Sequence, residues 1–293
     1  MIWLKVNFSS PSSIDRLFFG GLCLLAFLTA TIVLLIALYL GRESWLILEH
    51  AGLSSFVMDS SWSPSEDSYQ LMPMVVASLL IMFGSTLIAT PLGILAALFG
   101  HGRANSRLAL IYRRLMELLA GIPSVVYGFW GLVVLVPWIN TFQAPGASLL
   151  AGILIVALMI LPTIALTAES SFANVPQKYL VAAAALGLPR LATLRLAIWP
   201  HAKSGVIAGV LLAAGRAIGE TMAVLMVCGN IVQLPQSIFM PVRSLTANIA
   251  LEMAYAMDHH RSALFFSGLV LVALVLLLVF LAGLVKREST HVY

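Results

Sequence analysis

One arginine and one glutamate stand out because they lie inside an apolar stretch, residues 213–222, with the sequence AAGRAIGETM. Charged side chains are costly in hydrocarbon, so charges in such a stretch favour a functional role. On a helix, Glu220 follows Arg216 by one turn, which places both side chains on one face where they can pair. The guanidinium of Arg216 offers paired donors to two oxygens of an oxyanion and stays charged at any working pH.

We predict an exchange of partners at this pair, in which Glu220 holds Arg216 at rest and a passing oxyanion displaces it. Thr221 belongs to the same predicted path. Gly215 and Gly219 form a small-residue stripe that allows another helix to approach closely. The alternative is that Arg216 and Glu220 only fix the packing of helices between two subunits.

The composition identifies an integral membrane protein. Of the 293 residues, 61% are hydrophobic and 10% are charged, whereas a soluble domain carries about a quarter charged residues. A water-soluble enzyme is therefore excluded, and the sequence contains no catalytic Ser-His-Asp grouping and no metal-ligand spacing. Cys23 and Cys228 fall within apolar runs, where a thiol acts as a small apolar filler. The basic residues lie beside the apolar runs, which indicates membrane topology and not nucleic-acid binding.

Six apolar runs are long enough to cross a bilayer, and they predict an all-α bundle because lone spans must satisfy their own backbone hydrogen bonds. The first run is too long for the core of a signal peptide and is expected to stay as an anchor. The first and sixth runs contain no charged residue, so we predict that both face lipid at the periphery. The predicted spans are 17–40, 71–99, 115–139, 147–168, 205–232 and 262–285.

The lysines and arginines divide unevenly between the two sides of these spans. By the positive-inside rule, the richer side and both termini are cytoplasmic. The richer side carries Lys5, Arg16, Arg103, Arg107, Arg113, Arg114, Lys178, Arg190, Arg195, Lys203, Lys286 and Arg287, and the other side carries Arg42, Arg243 and Arg261. The predicted order is a cytoplasmic N-terminus at 1–16, an external acidic loop at 41–70, a core at 71–285 and a cytoplasmic tail at 286–293.

Prolines predict interruptions in two spans. Pro91 in the second span predicts a bend, and Pro123 in the third span cannot donate a helical hydrogen bond, which predicts a kink. Broken helices often line the solute path of transporters, so Ser124 and Tyr127 join the predicted substrate pathway. The alternative is a packing kink of the kind common in membrane helices. We predict that the gate consists of Pro91, Gly121, Pro123, Gly215 and Gly219.

The longest inner loop, 169–203, predicts two short helices joined by a turn. Strong helix formers occupy 179–186, Gly187 allows the chain to turn, and a second helix over 189–198 is expected to end before Pro200. A rigid basic protrusion of this kind suits the docking of a partner protein. An amphipathic connection that lies on the membrane surface is the alternative.

This loop resembles the EAA-type signature of the permease subunits of binding-protein-dependent bacterial ABC importers. Ala182 and Ala183 are followed by Gly187 and then by Pro200. The chain departs from the signature at Val181, which replaces its glutamate, so the docking chemistry of that glutamate is not carried over. A more apolar contact with a matched ATPase subunit and a weakened contact both remain open.

Three longer blocks are more specific and resemble the PstC-type permeases of phosphate importers. They are ELLAGIPSVVYGFWG at 117–131, ILPTI at 160–164 and GRAIGETMAVLM at 215–226. The resemblance implies the ABC type I importer permease fold in the bacterial inner membrane, and translocation of inorganic phosphate along a path that includes Arg216 and Glu220.

The resemblance also implies partners: a homologous second permease in a heterodimer, a pair of ATPase subunits at coupling helices in the loop 169–203, and an external phosphate-binding protein. The chain itself contains no Gly-x-x-x-x-Gly-Lys-Ser/Thr phosphate loop. ATP and Mg²⁺ are therefore expected on a partner subunit, and no cofactor is expected in this chain.

Alternatives stay open at this point. Sulfate or molybdate could replace phosphate, because the physical argument sets only the sign and size of the solute. A membrane sensor or scaffold linked to transport is a second alternative, and an autonomous ion-coupled carrier, disfavoured by the docking loop, is a third. Glu117 is expected to pair locally with Arg113. Loop residues predicted to be solvated are Glu169, His201, Glu252, Asp258, His259 and His260.

Overall fold

The architecture was analysed in a computed structural model that describes residues 13–59, 61–102 and 107–290. Most of the predicted N-terminus at 1–16, with Lys5, lies outside these ranges, as do Arg103 and the end of the predicted tail at 286–293. The described chain is almost entirely helical, with one short hairpin. The prediction of an all-α membrane bundle is confirmed.

Five helices are long and apolar enough to cross a membrane, and a bent pair provides a sixth candidate. The five candidate spans are Phe18–His50, Met72–Gly100, Leu149–Ala173, Arg190–Ile218 and Asp258–Phe280. They belong to α1 (Ser13–His50), α3 (Met72–Gly102), α7 (Leu149–Ala173), α9 (Arg190–Thr193) with α10 (Trp199–Ile218), and α13 (Asp258–Thr290). Each corresponds to one of the predicted spans.

The bent pair corresponds to the predicted third span, which is broken and not merely kinked. Helix α4 (Arg107–Gly121) meets the segment Ser124–Asn140 at 93°. That segment consists of α5 (Ser124–Trp130), a π-helical turn and α6 (Val136–Asn140). Pro123 holds the extended entry to α5, and the residue before a proline is itself driven out of the α region.

Two further predicted boundaries are wrong. The predicted fifth span, 205–232, is not one helix, because α10 ends at Ile218 and the short α11 (Met222–Val227) follows. The predicted second helix of the inner loop does not end before Pro200. A π-helical turn, Leu194–Ile198, joins α9 to α10, so the helix continues through Pro200.

Helix α7 forms the centre of the bundle and packs against α3 and α10. Glycines allow the close approach, since a Cβ at Gly84 or Gly93 of α3 would collide with Ile153 or Ile164 of α7. Helices α1 and α13 pack on each other at one side of this core, and α1 is exposed along its apolar length. The exposure of α1 agrees with the predicted peripheral position of the first span, whereas α13 also packs against α10 and α12; contact of either helix with lipid stays a prediction.

The segment after α1 is more ordered than the predicted external loop 41–70. Helix α1 continues to His50, α2 (Gly52–Met58) follows, and β1 (Trp62–Ser63) pairs antiparallel with β2 (Ser68–Tyr69). Trp62, Tyr69 and Phe56 are buried in a second apolar cluster with residues of α12 (Leu245–Glu252) and α13. Burial and the adjacent Asp67 raise the pKa of Tyr69 to about 12, so its hydroxyl stays protonated and donates to the Asp67 carboxylate.

Helix α8 (Gln177–Ala185) lies at the opposite end of the bundle, after α7. Gly187 has a φ of +65°, which favours glycine, and its amide and that of Leu188 donate to carbonyls of the last turn of α8. The predicted turn at Gly187 is confirmed. Tyr179 of α8 packs on the His201 ring of α10, with 3.9 Å between the ring centroids, and this contact joins the short helix to the long one.

Candidate functional site

The functional residues predicted from the sequence gather around the break that follows α10. Arg216 lies in the last turn of this helix, which ends at Ile218, with Gly219 as its C-terminal cap. Glu220 and Thr221 form the link to α11. A helix that breaks inside an apolar bundle exposes backbone polar groups, and the side chains of the link supply partners for them.

The predicted ion pair between Arg216 and Glu220 is absent. Pairing at this spacing requires a continuous helix through both residues, and the helix ends between them. The buried Glu220 carboxylate instead accepts a hydrogen bond from the backbone nitrogen of Ala223 at 3.1 Å, at the start of α11. The Thr221 hydroxyl donates to the carbonyl of Gly219 at 3.2 Å.

Arg216 differs from its acidic neighbour because its side chain is exposed in the isolated chain. Across the described ranges, its guanidinium forms neither an ion pair nor a hydrogen bond. It lies within electrostatic range of the Tyr127 phenol. The structure thus leaves this positive charge free for a partner that is not part of the described chain.

Tyr127 connects the break after α10 to the bend between α4 and α5. Its hydroxyl donates to the carbonyl of Leu119, at the end of α4, at 2.8 Å. The next residue, Gly128, allows α11 to pack on α5, since a Cβ there would lie 2.8 Å from the Cα of Ala223. Ser124 is half-buried at the start of α5, one turn before Tyr127. All five residues of the predicted pathway therefore lie on these neighbouring segments.

The residues of the predicted gate behave differently from one another. Helix α3 continues through Pro91, so this proline does not break the helix, and the predicted bend there stays a prediction. Gly121 and Pro123 do mark a break, the 93° bend. An added Cβ at Gly215 or Gly121 would meet no described atom within 4 Å, so within the described ranges no other helix makes the close approach predicted at Gly215.

A buried polar network that was not predicted from the sequence lies at the end of the bundle that carries the β1–β2 hairpin. Glu252, predicted to be solvated, is 8% exposed. Its Oε1 accepts from Arg243 at 2.6 Å, and its Oε2 lies 2.8 Å from the Trp62 indole nitrogen and 2.9 Å from His260 Nε2. Arg243 also donates to Asn248 Oδ1 at 3.0 Å. We call these five residues the outer network.

The outer network is joined to the break after α10 by one short helix. Helix α12 carries Asn248 and Glu252 near its end, and Thr246 in its first turn. The Thr246 hydroxyl donates to the backbone carbonyl of Glu220 at 2.9 Å. This bond was not predicted, because a threonine in a polar-flanked helix carries no local signal of a contact with a residue far away in the chain.

Helix α8, which lies in the loop predicted to dock a partner, has an apolar exposed surface. Ala183 is buried against the bundle, whereas Ala182 is exposed. Val181 is 66% exposed and Leu186 is 76% exposed. Large exposed apolar side chains on a rigid turn, at the end of the bundle, are typical of an interaction surface.

Comparisons with known proteins agree with this architecture. Residues 89–289 match the family described as "Binding-protein-dependent transport system inner membrane component". The chain is 37% identical over 268 residues to the "Probable ABC transporter permease protein YqgH" of Bacillus subtilis, covering 88% of this chain and 86% of that protein. It is 31% identical to the "Phosphate transport system permease protein PstC" of Haemophilus influenzae, covering 99% of both chains.

The fold is similar to that of a solved transporter subunit. A chain in an inward-facing structure of the MetNI methionine ABC transporter superposes with a TM-score of 0.61. The superposition covers 75% of this chain and 95% of that chain, at 19% sequence identity. At this level of identity the likeness concerns the fold alone.

Proposed function

Because the chain belongs to the family of binding-protein-dependent transport system inner membrane components, we propose that it is the permease subunit of an ATP-driven importer that carries inorganic phosphate into the cytoplasm. The chain is a multi-pass permease of the inner membrane and not an enzyme, and the family works with an ATPase and a substrate-binding protein. Phosphate is supported by relatives named as phosphate transport permeases, 31–33% identical to this chain.

The observation that carries the phosphate proposal is the guanidinium of Arg216, which is exposed at the end of α10 and has no hydrogen-bond or ion-pair partner in the described chain. A planar guanidinium donates two parallel hydrogen bonds to two oxygens of a phosphate, and it is less strongly hydrated than an ammonium. When another helix covers this exposed arginine, its burial without a counter-charge is costly, so an anion that arrives there is stabilised.

The proposed role of Glu220 changes with its geometry. Its carboxylate bonds the start of α11 and its carbonyl accepts from Thr246. We assign to Glu220 the role of positioning α11 next to Arg216. This role replaces the ion pair with Arg216 that was predicted for the resting state. The negative charge of Glu220, held at the start of α11, weakens anion binding at Arg216 and so allows phosphate to leave.

A second, homologous permease is the proposed cover of the exposed face that carries Arg216. Gly215 and Gly219 would accept a neighbouring helix on this face. A Cβ added at Gly215 would meet no described atom within 4 Å, and one added at Gly219 would meet only backbone oxygens of α10. Small residues at such positions allow two membrane helices to approach closely. Phosphate would then pass along the contact between the two permeases.

The ATPase pair is proposed to dock at α8 and the turn that follows it. Val181 and Leu186 offer an apolar contact there, in place of the charged contact of the family signature. This assignment places α8 and both termini on the cytoplasmic side, as the distribution of basic residues predicts. The external binding protein would deliver phosphate at the opposite end, near the outer network.

Phosphate uptake into vesicles that contain the assembled transporter tests this proposal. We expect Arg216→Lys to transport weakly, because it keeps the charge but loses the paired donors, and Arg216→Gln to be inactive. Unlabelled sulfate should compete poorly with labelled phosphate. Full transport by both variants in normally assembled protein would refute the role of Arg216, and strong competition by sulfate would assign the subunit to another oxyanion.

A further inference from the structure

Helix α4 is nearly perpendicular to the segment that follows it, an orientation that is not required for crossing a membrane. This 15-residue helix meets the following segment, Ser124–Asn140, at 93°. If that segment runs along the membrane normal, α4 runs along the membrane plane. Its position is at the end of the bundle that carries α8, because Tyr112 packs edge-on against Phe99 near the end of α3, with 5.6 Å between the ring centroids.

One face of α4 is fixed against the bundle. Ala109 is buried, and Tyr112 lies close to Glu169 of α7, since a Cβ added to Gly100 would meet both side chains at 3.3–3.4 Å. This contact sets the rotation of α4 about its own axis. The other two sides of the helix are therefore presented outward in a defined direction.

These two outward sides have opposite chemistry. The apolar side consists of large side chains that are more than half exposed, spaced three or four residues apart on one helical face. They are Leu108, Ile111, Leu115 and Leu118. The adjacent side carries the exposed Arg107, Arg113, Arg114 and Glu117.

The charges of the second side are only partly compensated. Arg113 pairs with Glu117 at 3.1 Å. In the part of the chain that the structure describes, Arg107 and Arg114 have no acidic partner. The helix thus presents net positive charge beside a continuous apolar strip.

We propose that α4 lies in the bilayer interface, with its apolar side in the acyl chains and its arginines on the phosphates of anionic lipids. An amphipathic helix with basic residues beside large apolar ones binds at the depth where headgroups meet hydrocarbon. Anionic headgroups complement the uncompensated charge of Arg107 and Arg114, and long arginine side chains reach the headgroup level from a buried backbone. The assignment is independent of which solute the transporter carries.

This placement connects the lipid to the transport path. Leu119, near the end of α4, accepts the hydrogen bond of the Tyr127 hydroxyl, and Tyr127 lies in electrostatic range of Arg216. A lipid that holds α4 in the interface therefore helps to fix the bend and the neighbouring phenol. Anionic lipid is expected to act on transport through this contact.

The depth of α4 can be measured by spin labels on the full chain, in its assembled transporter and in lipid vesicles. Cys23→Ser and Cys228→Ala provide a background without other thiols. Labels at Ile111→Cys and Leu118→Cys should be accessible to oxygen and shielded from a water-soluble nickel complex, at equal depth. A depth that changes steadily from 111 to 118 would mean that α4 crosses the membrane, and shielding from both reagents would mean that a protein covers it. Either result overturns the proposal.

Lipid selectivity is tested with a fluorophore on Leu118→Cys and lipids that carry a quencher. Quenching by labelled phosphatidylglycerol should exceed quenching by labelled phosphatidylcholine at equal mole fraction. Arg107→Gln and Arg114→Gln should each lower this preference by up to about fivefold. The matched controls, Arg42→Gln and Arg261→Gln as single variants, each remove the same charge at the opposite end and should leave the preference unchanged. Equal quenching by both lipids, or a preference insensitive to the α4 variants, would refute the anionic contact.

Discussion

The outer network and the break after α10 differ in how their charged side chains are partnered. In the outer network, Glu252 accepts hydrogen bonds on both carboxylate oxygens, and Arg243 donates to two side chains and to the carbonyl of Asn230. At the break, Arg216 has no partner in the described chain, although Glu220 is only one helical turn away in sequence.

The contrast separates charged side chains that stabilise the fold from a charged side chain that is available to bind a ligand. A satisfied buried network contributes rigidity, and removal of one member leaves the others unpaired. A charge without partners contributes nothing to the stability of the isolated subunit. Its cost is offset only when a ligand or another subunit arrives, which ties the charge to function.

Arg216→Gln gives the largest expected effect. Loss of the charge-assisted hydrogen bonds to phosphate should reduce uptake at least about 100-fold. The unfolding free energy should change by less than about 0.5 kcal/mol, because no contact within the subunit is lost. Uptake assays and chemical unfolding in mixed micelles measure the two quantities on the same preparation. A large loss of stability would contradict the assignment of Arg216 to the group that awaits a ligand.

Glu252→Gln should act mainly on stability and less on uptake, the reverse of Arg216→Gln. We expect the unfolding free energy to fall by about 3 kcal/mol. The physical reason is that Arg243 loses its buried counter-charge at 2.6 Å. Glu117→Gln is the matched control, since it breaks an exposed pair with Arg113 that is worth about 0.5 kcal/mol at most. Equal effects of the two substitutions in the unfolding assay would show that the outer network does not hold the fold.

Gly128→Ala and Gly215→Ala compare a packed glycine with an open one. A Cβ at Gly128 would lie 2.8 Å from backbone of α11, so the subunit should lose about 2 kcal/mol of unfolding free energy. A Cβ at Gly215 meets no described atom within 4 Å, so the subunit should keep its stability. If a helix of the second permease packs closely on Gly215, the amount of second permease that co-purifies with the chain should fall for Gly215→Ala, although the subunit itself stays stable. An unchanged yield of the heterodimer would argue against a helix contact at Gly215.

Thr246→Val has the smallest expected effect, about 1 kcal/mol of unfolding free energy, because one buried hydrogen bond to the Glu220 carbonyl is lost. Thr141→Val is its control, since the hydroxyl of Thr141 bonds locally to the Trp138 carbonyl at an exposed position. A selective decrease of phosphate uptake in Thr246→Val would indicate that the outer network and the break move as one unit. If uptake and stability both match the control, the two regions are independent.

Most of the fold could be predicted because the bilayer constrains it. Apolar runs of spanning length identified the long helices, and Pro123 predicted a kink where the structure has a complete break. The local ion pair of Glu117 with Arg113 was also predicted correctly, since it depends only on helical spacing.

The misses arose where contacts are distant in sequence. Glu252 was predicted to be solvated because it lies near a loop, but its partner Trp62 is 190 residues away along the chain. The end of α10 was missed because apolar residues continue on both sides of Gly219, and hydropathy does not report a helix end. The direction of the Glu220 carboxylate, toward Ala223, depends on that end.

Helix α12 acts as a spacer of fixed length between two anchoring points. Thr246 and Glu252 lie on the same short helix, about 9 Å apart along its axis. Insertion or deletion of one residue between them would rotate one anchor relative to the other by about 100°. The bond to Glu220 and the outer network could not then form together. Substitutions on the exposed side of α12 should be tolerated, whereas its length should not vary.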